Sequence, residues 1–405
     1  RPVTYLHFNP SNIQLDTIQL RVQPSDLIYA HNNLNIKHFE LSNKNQHITV
    51  NGKTSGAIDD SLIVKLKDID VPYIMDILNF HSVEFDGLAS GEVVVKSFFN
   101  TPETTARLEI KHFQFENGEM GTLYANSYYN HNAGRINIDA HADAGADSKT
   151  VIKGYIDTKN SFIHLPIYAS NTYLHFLNKY CSSFMSHINL KANGWCKVVG
   201  PLSKINLEGD MYASGDVFIK PIGSKYMLKN GRIRMIPNEI IFDNDTIFDT
   251  NNNIGILTGG IHHQSLTNLT YDLDCEARNL LIYNFPKKTG DDTFWGVVKG
   301  TGNCAISNKS EGVTMNITLR PEEDSYITYN ASENSVDENS FIYWRDLTPK
   351  TYTPSEDSGA FNLHNEKANA RKDSDFESNL NINFSIHATP DFTLRVLMDE
   401  KTGDM

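Results

Sequence analysis

Residues able to do chemistry are few in this sequence, and their spacing does not bring them together. His262-His263 is an adjacent histidine pair. Neighbours on a strand point to opposite faces, so the two cannot converge on a metal that needs three or four ligands. Asp243-Asn244-Asp245 and Asp249, followed by Asn251-Asn252-Asn253, offer oxygens of the kind calcium takes. The stretch lacks the glycine and closing glutamate of an EF-hand loop, and it reads as a turn, with calcium the alternative. Asp291-Asp292 reads as a solvated turn. Gly296-Val-Val-Lys-Gly300-Thr-Gly302 is glycine-rich but sits inside a strand pattern, not at a strand-to-helix turn, so it is not read as a dinucleotide site. Nucleophile-elbow, P-loop and zinc-protease motifs are missing. The sequence therefore predicts no enzyme, no catalytic residue, no metal and no cofactor. Cys181, Cys196, Cys275 and Cys304 form no CxxC pair and have no histidine at zinc spacing. They read as small buried core residues, with a Cys181–Cys196 bridge the alternative in an oxidising compartment.

The elements that would position any site are strands. Leu269, Tyr271, Leu273, Cys275 and Ala277 alternate with polar Thr270, Asp272, Asp274, Glu276 and Arg278. The same period of two runs through Ile136, Ile138, Ala140 and Ala142, through Val313, Met315, Ile317 and Leu319, and through Leu380, Ile382, Phe384, Ile386 and Ala388. It begins near the N-terminus with Leu15, Ile18, Leu20 and Val22. Each such strand has one apolar and one polar face, the pattern of antiparallel sheets covered on one side. The 405 residues are 40% hydrophobic, with no apolar run near the roughly 18 residues of a spanning helix. Forty-nine acids against 36 bases give a net charge of -13, which argues against nucleic acid as a partner.

Two short helices are predicted. One covers 71–80, with Pro72 in its first turn and Ile74, Ile77 and Leu78 on one face. The other covers 171–180, with Ser170 or Asn171 as N-cap and Tyr173, Leu177 and Tyr180 on one face. They introduce a diffuse repeat, Phe85-x-Gly87-x-Ala89-x-Gly91-x-Val93 and Leu190-x-Ala192-x-Gly194-x-Cys196-x-Val198, with a third copy over Gly296–Ile306. Its anchors are Gly91, Gly194 and Gly300, where small residues on one strand face imply a close approach, a bulge or a bend. The predicted organisation is a partial repeat over 1–80, repeats over 81–180 and 181–285, further strands over 286–347, a disordered polar loop over 348–378, and a closing hairpin over 379–405 with its turn at Thr389-Pro390-Asp391. Arg1-Pro2-Val3 shows no targeting signal, and the chain reads as an internal piece of a longer protein.

Leu280–Phe285, Asp292–Gly302, Tyr329–Ser332, Ser340–Asp346 and the ending Leu380–Asp404 together resemble the C-terminal half of the TamB-like (translocation and assembly module) proteins, in their Bacteroides-type form. Asn9–Leu20 and the Phe85–Gly91 units resemble the same family's repeats. The resemblance implies an all-β fold, an elongated repeat array of antiparallel strands in a curved, taco-like β-groove with short helices at repeat starts, of the AsmA-like, bridge-type lipid-transfer class. It implies a periplasmic protein tethered to the inner membrane by an N-terminal anchor, carrying phospholipid acyl chains, with a BamA-like outer-membrane barrel protein as a second partner. The expected groove-lining residues are Ile136, Ile138, Ala140, Leu269, Tyr271, Leu273, Cys275, Ala277, Val313, Met315, Ile317, Leu319, Leu380, Ile382, Phe384 and Ile386. Alternatives kept open are a closed β-sandwich, an adhesin-like domain, and a scaffold that assembles outer-membrane proteins through strand edges.

Overall fold

The computed structural model describes residues 3–15, 18–55, 57, 60–77, 83–99, 101–182, 184–265, 267–287, 294–309, 312–331, 380–387 and 389–398. Among these, 24 strands form one sheet. They are β1 (Thr4–Phe8), β2 (Ser11–Leu15), β3 (Ile18–Val22), β4 (Ser25–Ala30), β5 (Asn33–Asn43), β6 (Gln46–Thr54), β7 (Ser61–Asp70), β8 (Phe85–Lys96), β9 (Glu103–Phe115), β10 (Gly118–Asn130), β11 (Arg135–Asp143), β12 (Lys149–Asp157), β13 (Phe162–Tyr173), β14 (Met185–Pro201), β15 (Asn206–Ile219), β16 (Ser224–Ile236), β17 (Glu239–Phe248), β18 (Ile254–Gln264), β19 (Thr267–Phe285), β20 (Phe294–Lys309), β21 (Gly312–Pro321), β22 (Ser325–Asn330), β23 (Leu380–Ile386) and β24 (Phe392–Leu397).

From β5 to β20 every strand pairs antiparallel with the next. At one end β3 and β4 act as a single broken strand along β5, with β2 and β1 outside them. At the other, β21 and β22 together flank β20. No pairing among the described residues joins the first strands to the last, so the curved sheet stays open, as the family resemblance implied.

The closing hairpin is corrected. β23 pairs with β21 and β24 with β22, both parallel, in registers Val313↔Leu380 to Leu319↔Ile386 and Ser325↔Phe392 to Asn330↔Leu397. The predicted turn exists, with Phe392 N–H donating to Thr389 C=O at 3.1 Å. It steps the strand sideways, matching the break between β21 and β22, and does not reverse it. Residues 331–379 are long enough for the crossover that parallel neighbours require. The predicted 348–378 loop lies outside the described residues.

Helix α1 spans Val71–Ile77 and α2 spans Leu177–Cys181. The second starts later than predicted because Asn171 is not an N-cap. It sits at φ 50° in a bulge of β13, and its N–H donates to Asn193 Oδ1 at 2.8 Å. This latch recurs. The N–H of His38 is held by Asn51, of Asp68 by Ser90, of Asn230 by Ser214 and of Asn279 by Thr301, each at 2.8–3.0 Å. All five bulge residues have positive φ, which turns their N–H out of the ladder and leaves it needing an acceptor. Each acceptor immediately precedes a glycine: Gly52, Gly91, Gly215, Gly302 and, for Asn171, Gly194. The third repeat anchor is therefore Gly302 and not Gly300.

Candidate apolar trough

Register decides which residues share the inner face. Val95, Val93, Gly91 and Ala89 of β8 lie opposite Thr104, Ala106, Leu108 and Ile110 of β9. The series continues through Leu123 and Ala125 to Ala142, Ala140, Ile138 and Ile136 of β11, and on to Ile152 and Ile156 of β12. The inward positions from β5 to β16 include no Asp, Glu, Lys, Arg or His. The outer face carries the charge, with cross-strand pairs such as Lys153–Asp139 at 3.2 Å and Lys197–Glu208 at 2.8 Å.

Burial divides this face into two strips. Toward one end of the strands it is covered. Val71, Ile74 and Met75 of α1 pack on Ala89, Ile110, Phe113, Leu123, Ala140 and Ala142. Leu174, Phe176 and Leu177 pack on Ala192 and Met211. Both helices follow strands that run in the same direction, so they cover the same end. Away from them the wall is half-exposed, through Ile36, Val64, Val93, Leu108, Ile136, Ile138, Ile156, Ile163, Leu165, Val198, Ile233 and Leu273.

The covering is locked by ions as well as by apolar contacts. Lys179 Nζ in α2 donates to Glu116 Oε2 at 2.6 Å and lies 2.7 Å from Glu84 Oε2. The Glu116 side chain is only 5% exposed. Burial opposes the Lys179 charge, but the bonds to Glu116 and Glu84 outweigh it and raise the pKa above the lysine norm. The clamp is therefore complete at neutral pH, and on the alkaline side it opens as the Lys179 ammonium is stripped. Lys179→Met leaves Glu116 buried without its cation and is expected to cost about 2 kcal/mol, below the full range for buried pairs because Lys179 is partly exposed. Hydrogen exchange should speed up across 174–181 and leave β11–β12 unchanged.

At the C-terminal end the trough is filled. Val313, Met315, Ile317 and Leu319 are 1–4% exposed and form one core with Ile222, Tyr226, Ala277, Leu280, Ile282 and Val298. Tyr271, Cys275 and Ile386 pack against it. The Tyr226 hydroxyl donates to Leu281 C=O at 2.8 Å and so ties β16 to β19. Of the expected lining, then, Ile136, Ile138 and Leu273 lie on the half-open wall and Ala140 lies under α1. Ala277, Val313, Met315, Ile317 and Leu319 are closed over, Tyr271, Cys275 and Ile386 are half-buried against that core, and Leu269 is 39% exposed. The side chains of Leu380, Ile382 and Phe384 lie outside the described residues; their backbones stand opposite Val313, Met315 and Ile317.

Asp245 is an acid that sequence reading did not place on this wall. It lies across from Leu257, 6% exposed, with Oδ1 accepting from Arg232 N–H at 2.6 Å and Oδ2 without a partner. Burial raises its pKa. Its position beside a bulge at Asn244 was not legible from alternation. Asp249 is fully buried, and its carboxylate accepts from Asn251 and Asn253 N–H, Asn253 Nδ2 and Leu281 N–H at 2.8–2.9 Å. These donors occupy the Asp249 oxygens a calcium ion would need, so 249–253 is a self-satisfied turn, whereas Asp243-Asn244-Asp245 lie within strand β17 and not in the turn the sequence suggested. His262 is exposed and His263 buried, on opposite faces as adjacent strand residues must be. No group of three or more His, Cys, Asp or Glu that could hold a metal occurs among the described residues. Asp291 and Asp292 lie outside them.

Residues 241–402 match the family model of the TamB C-terminal domain. That part of the chain is TamB-like. TamB proteins are envelope proteins of translocation and assembly. Comparison with curated proteins and with solved structures returned no match. The matched TamB region begins inside β17, whose pairing with β16 carries the sheet across that boundary without a break. It contains most of the closed core, whereas most of the half-open wall lies upstream. No helix among the described residues of this chain is long and apolar enough to cross a membrane.

Proposed function

We propose that this TamB-like chain is the periplasmic part of an envelope protein, tethered to the inner membrane, whose trough carries phospholipid acyl chains between the inner and outer membranes without catalysing a reaction. The observation that carries this reading is the uncharged, half-exposed wall that continues across the strands from β5 to β16. Each acyl CH₂ taken from water onto such a wall gains about 0.8 kcal/mol, so eight of them supply about 6 kcal/mol. The polar headgroup stays at the open side, where no inward charge has to be matched.

The test is lipid carried by the purified chain. Extraction and mass spectrometry should find phospholipid near one per chain. Ile136→Arg combined with Leu165→Arg should lower it at least tenfold while circular dichroism stays the same, because both sites are half-exposed and an arginine head can reach water. Wild-type chain carrying no more lipid than a sealed β-sandwich control sinks the reading.

A second reading rests on a different feature. β23–β24 presents an edge unpaired among the described residues, able to add a client strand by backbone hydrogen bonding. On that reading the chain is a scaffold for outer-membrane barrel assembly with a BamA-like partner, and crosslinks would gather on β24 and ignore trough charge.

A further inference from the structure

Cys275 and Cys304 are far apart in sequence and directly opposite in space. They are register partners in the β19–β20 ladder, both face the closed C-terminal core, and both are free thiols. Residues directly opposite in an antiparallel pair hold their Cα atoms about 4.5 or 5.5 Å apart. Both values fall within the roughly 4.4–6.8 Å a disulfide spans. The flanking pairs are Leu273↔Ile306 and Ala277↔Gly302, and the second leaves room beside the sulfurs for a change of rotamer. The bridge the spacing first suggested has no such support. Cys181 ends α2, while Cys196 faces Ile167 and Gly209 across its two ladders.

We infer that Cys275 and Cys304 form a cross-strand disulfide, made by thiol–disulfide exchange with a disulfide-bearing donor. One cysteine, as thiolate, attacks a donor sulfur and forms a mixed disulfide, expelling one donor thiolate. The other cysteine, also as thiolate, then attacks the protein sulfur of that mixed disulfide and expels the second. Two cysteine protons and two electrons pass to the donor, whose one disulfide becomes two thiols. The inference draws on an oxidising envelope for the donor and on register for the geometry, and is independent of lipid transport.

Burial pushes Cys275 up to about 11 and Cys304 up to about 12. Thiolate, the attacking form, is therefore scarce once the core has closed. Exchange belongs to the interval in which β19 and β20 have paired but Met315 and Ile317 have not yet covered them. The bond would then pin the register of the strand pair on which the closed core is built.

The test uses the 405-residue chain in an oxidised and reduced glutathione buffer. One sample is held native and one is refolded from urea in that buffer, and both are then denatured and alkylated with N-ethylmaleimide. In the refolded sample we expect a loss of 2 Da, two alkylated thiols in place of four, and a linked peptide joining Cys275 to Cys304. The native sample should oxidise at least tenfold more slowly. Cys181→Ser and Cys196→Ser should keep the bridge, while Cys275→Ser and Cys304→Ser should each leave three alkylatable thiols. Four alkylated thiols in the refolded sample, stable glutathione adducts in place of the bridge, or a linked peptide joining Cys181 to Cys196 would each overturn the inference.

Discussion

Ile317→Arg is expected to unfold the C-terminal part of the sheet, whereas Ile136→Arg leaves the chain folded. Both positions are inward isoleucines on alternating strands, indistinguishable by sequence pattern. Ile317 is 1% exposed, stands opposite Cys304, and is enclosed by Met315, Leu319 and the residues of β16 and β19 that share its core. An arginine there loses about 2–3 kcal/mol of apolar burial and adds several more for a charge without a partner. A guanidinium at Ile136 can extend past a half-exposed neighbour to water, and its cost stays near 1 kcal/mol. Limited proteolysis read by mass spectrometry separates the two. The Ile317 variant should be cut throughout β17–β22 under conditions that leave wild type intact, and the Ile136 variant should resemble wild type. Equal resistance of both variants would mean that Ile317 reaches an open trough, and that the closed core does not exist in solution.

This difference shows where sequence reading stops. Alternation at Leu269–Ala277 and Val313–Leu319 identified strands and the face each turns inward, because the strand period depends only on local geometry. It says nothing about what lies over that face. Whether the sheet curls enough for Tyr226 to reach Leu281 is decided by twist and curvature summed over several strands. The parallel docking of β23–β24 was hidden for a related reason, since parallel and antiparallel strands share one alternation. The helix placed at 171–180 failed on one residue. Tyr173, Leu177 and Tyr180 have helical spacing, but the positive φ of Asn171 keeps the chain in β13 until Tyr173. The small-residue repeat was legible as a pattern, and its cause was not, because the partner of each glycine's preceding side chain is a bulge one strand away. Asp245 was missed because a bulge moved it across the sheet.

That repeat makes a strong claim about how the trough is bent. Gly91→Val is expected to be among the most damaging single substitutions in the half-open region, although Gly91 has no side chain to offer a cargo. Gly91 has φ 150°, and a Cβ built on it would lie 2.0 Å from the Arg107 carbonyl oxygen. That oxygen belongs to the neighbouring backbone, so it can move only if β8 and β9 separate. Separation breaks the ladder on both sides of the bulge whose Asp68 N–H is held by Ser90. A β-branched residue at this φ adds strain of its own. The sum is several kcal/mol, against about 1 kcal/mol for Ser90→Ala, which loses the latch and keeps the bend. Gly145→Ala is the control, because Gly145 also has positive φ, at 100°, but has nothing within 4 Å of its added carbon. It should cost about 1 kcal/mol, the strain of the backbone alone. Thermal melting of the three variants should rank Gly91→Val far below the other two. If Gly91→Val melts alongside Gly145→Ala, the carbonyl is free to withdraw, and the glycine–bulge pair is not what bends the sheet into a trough.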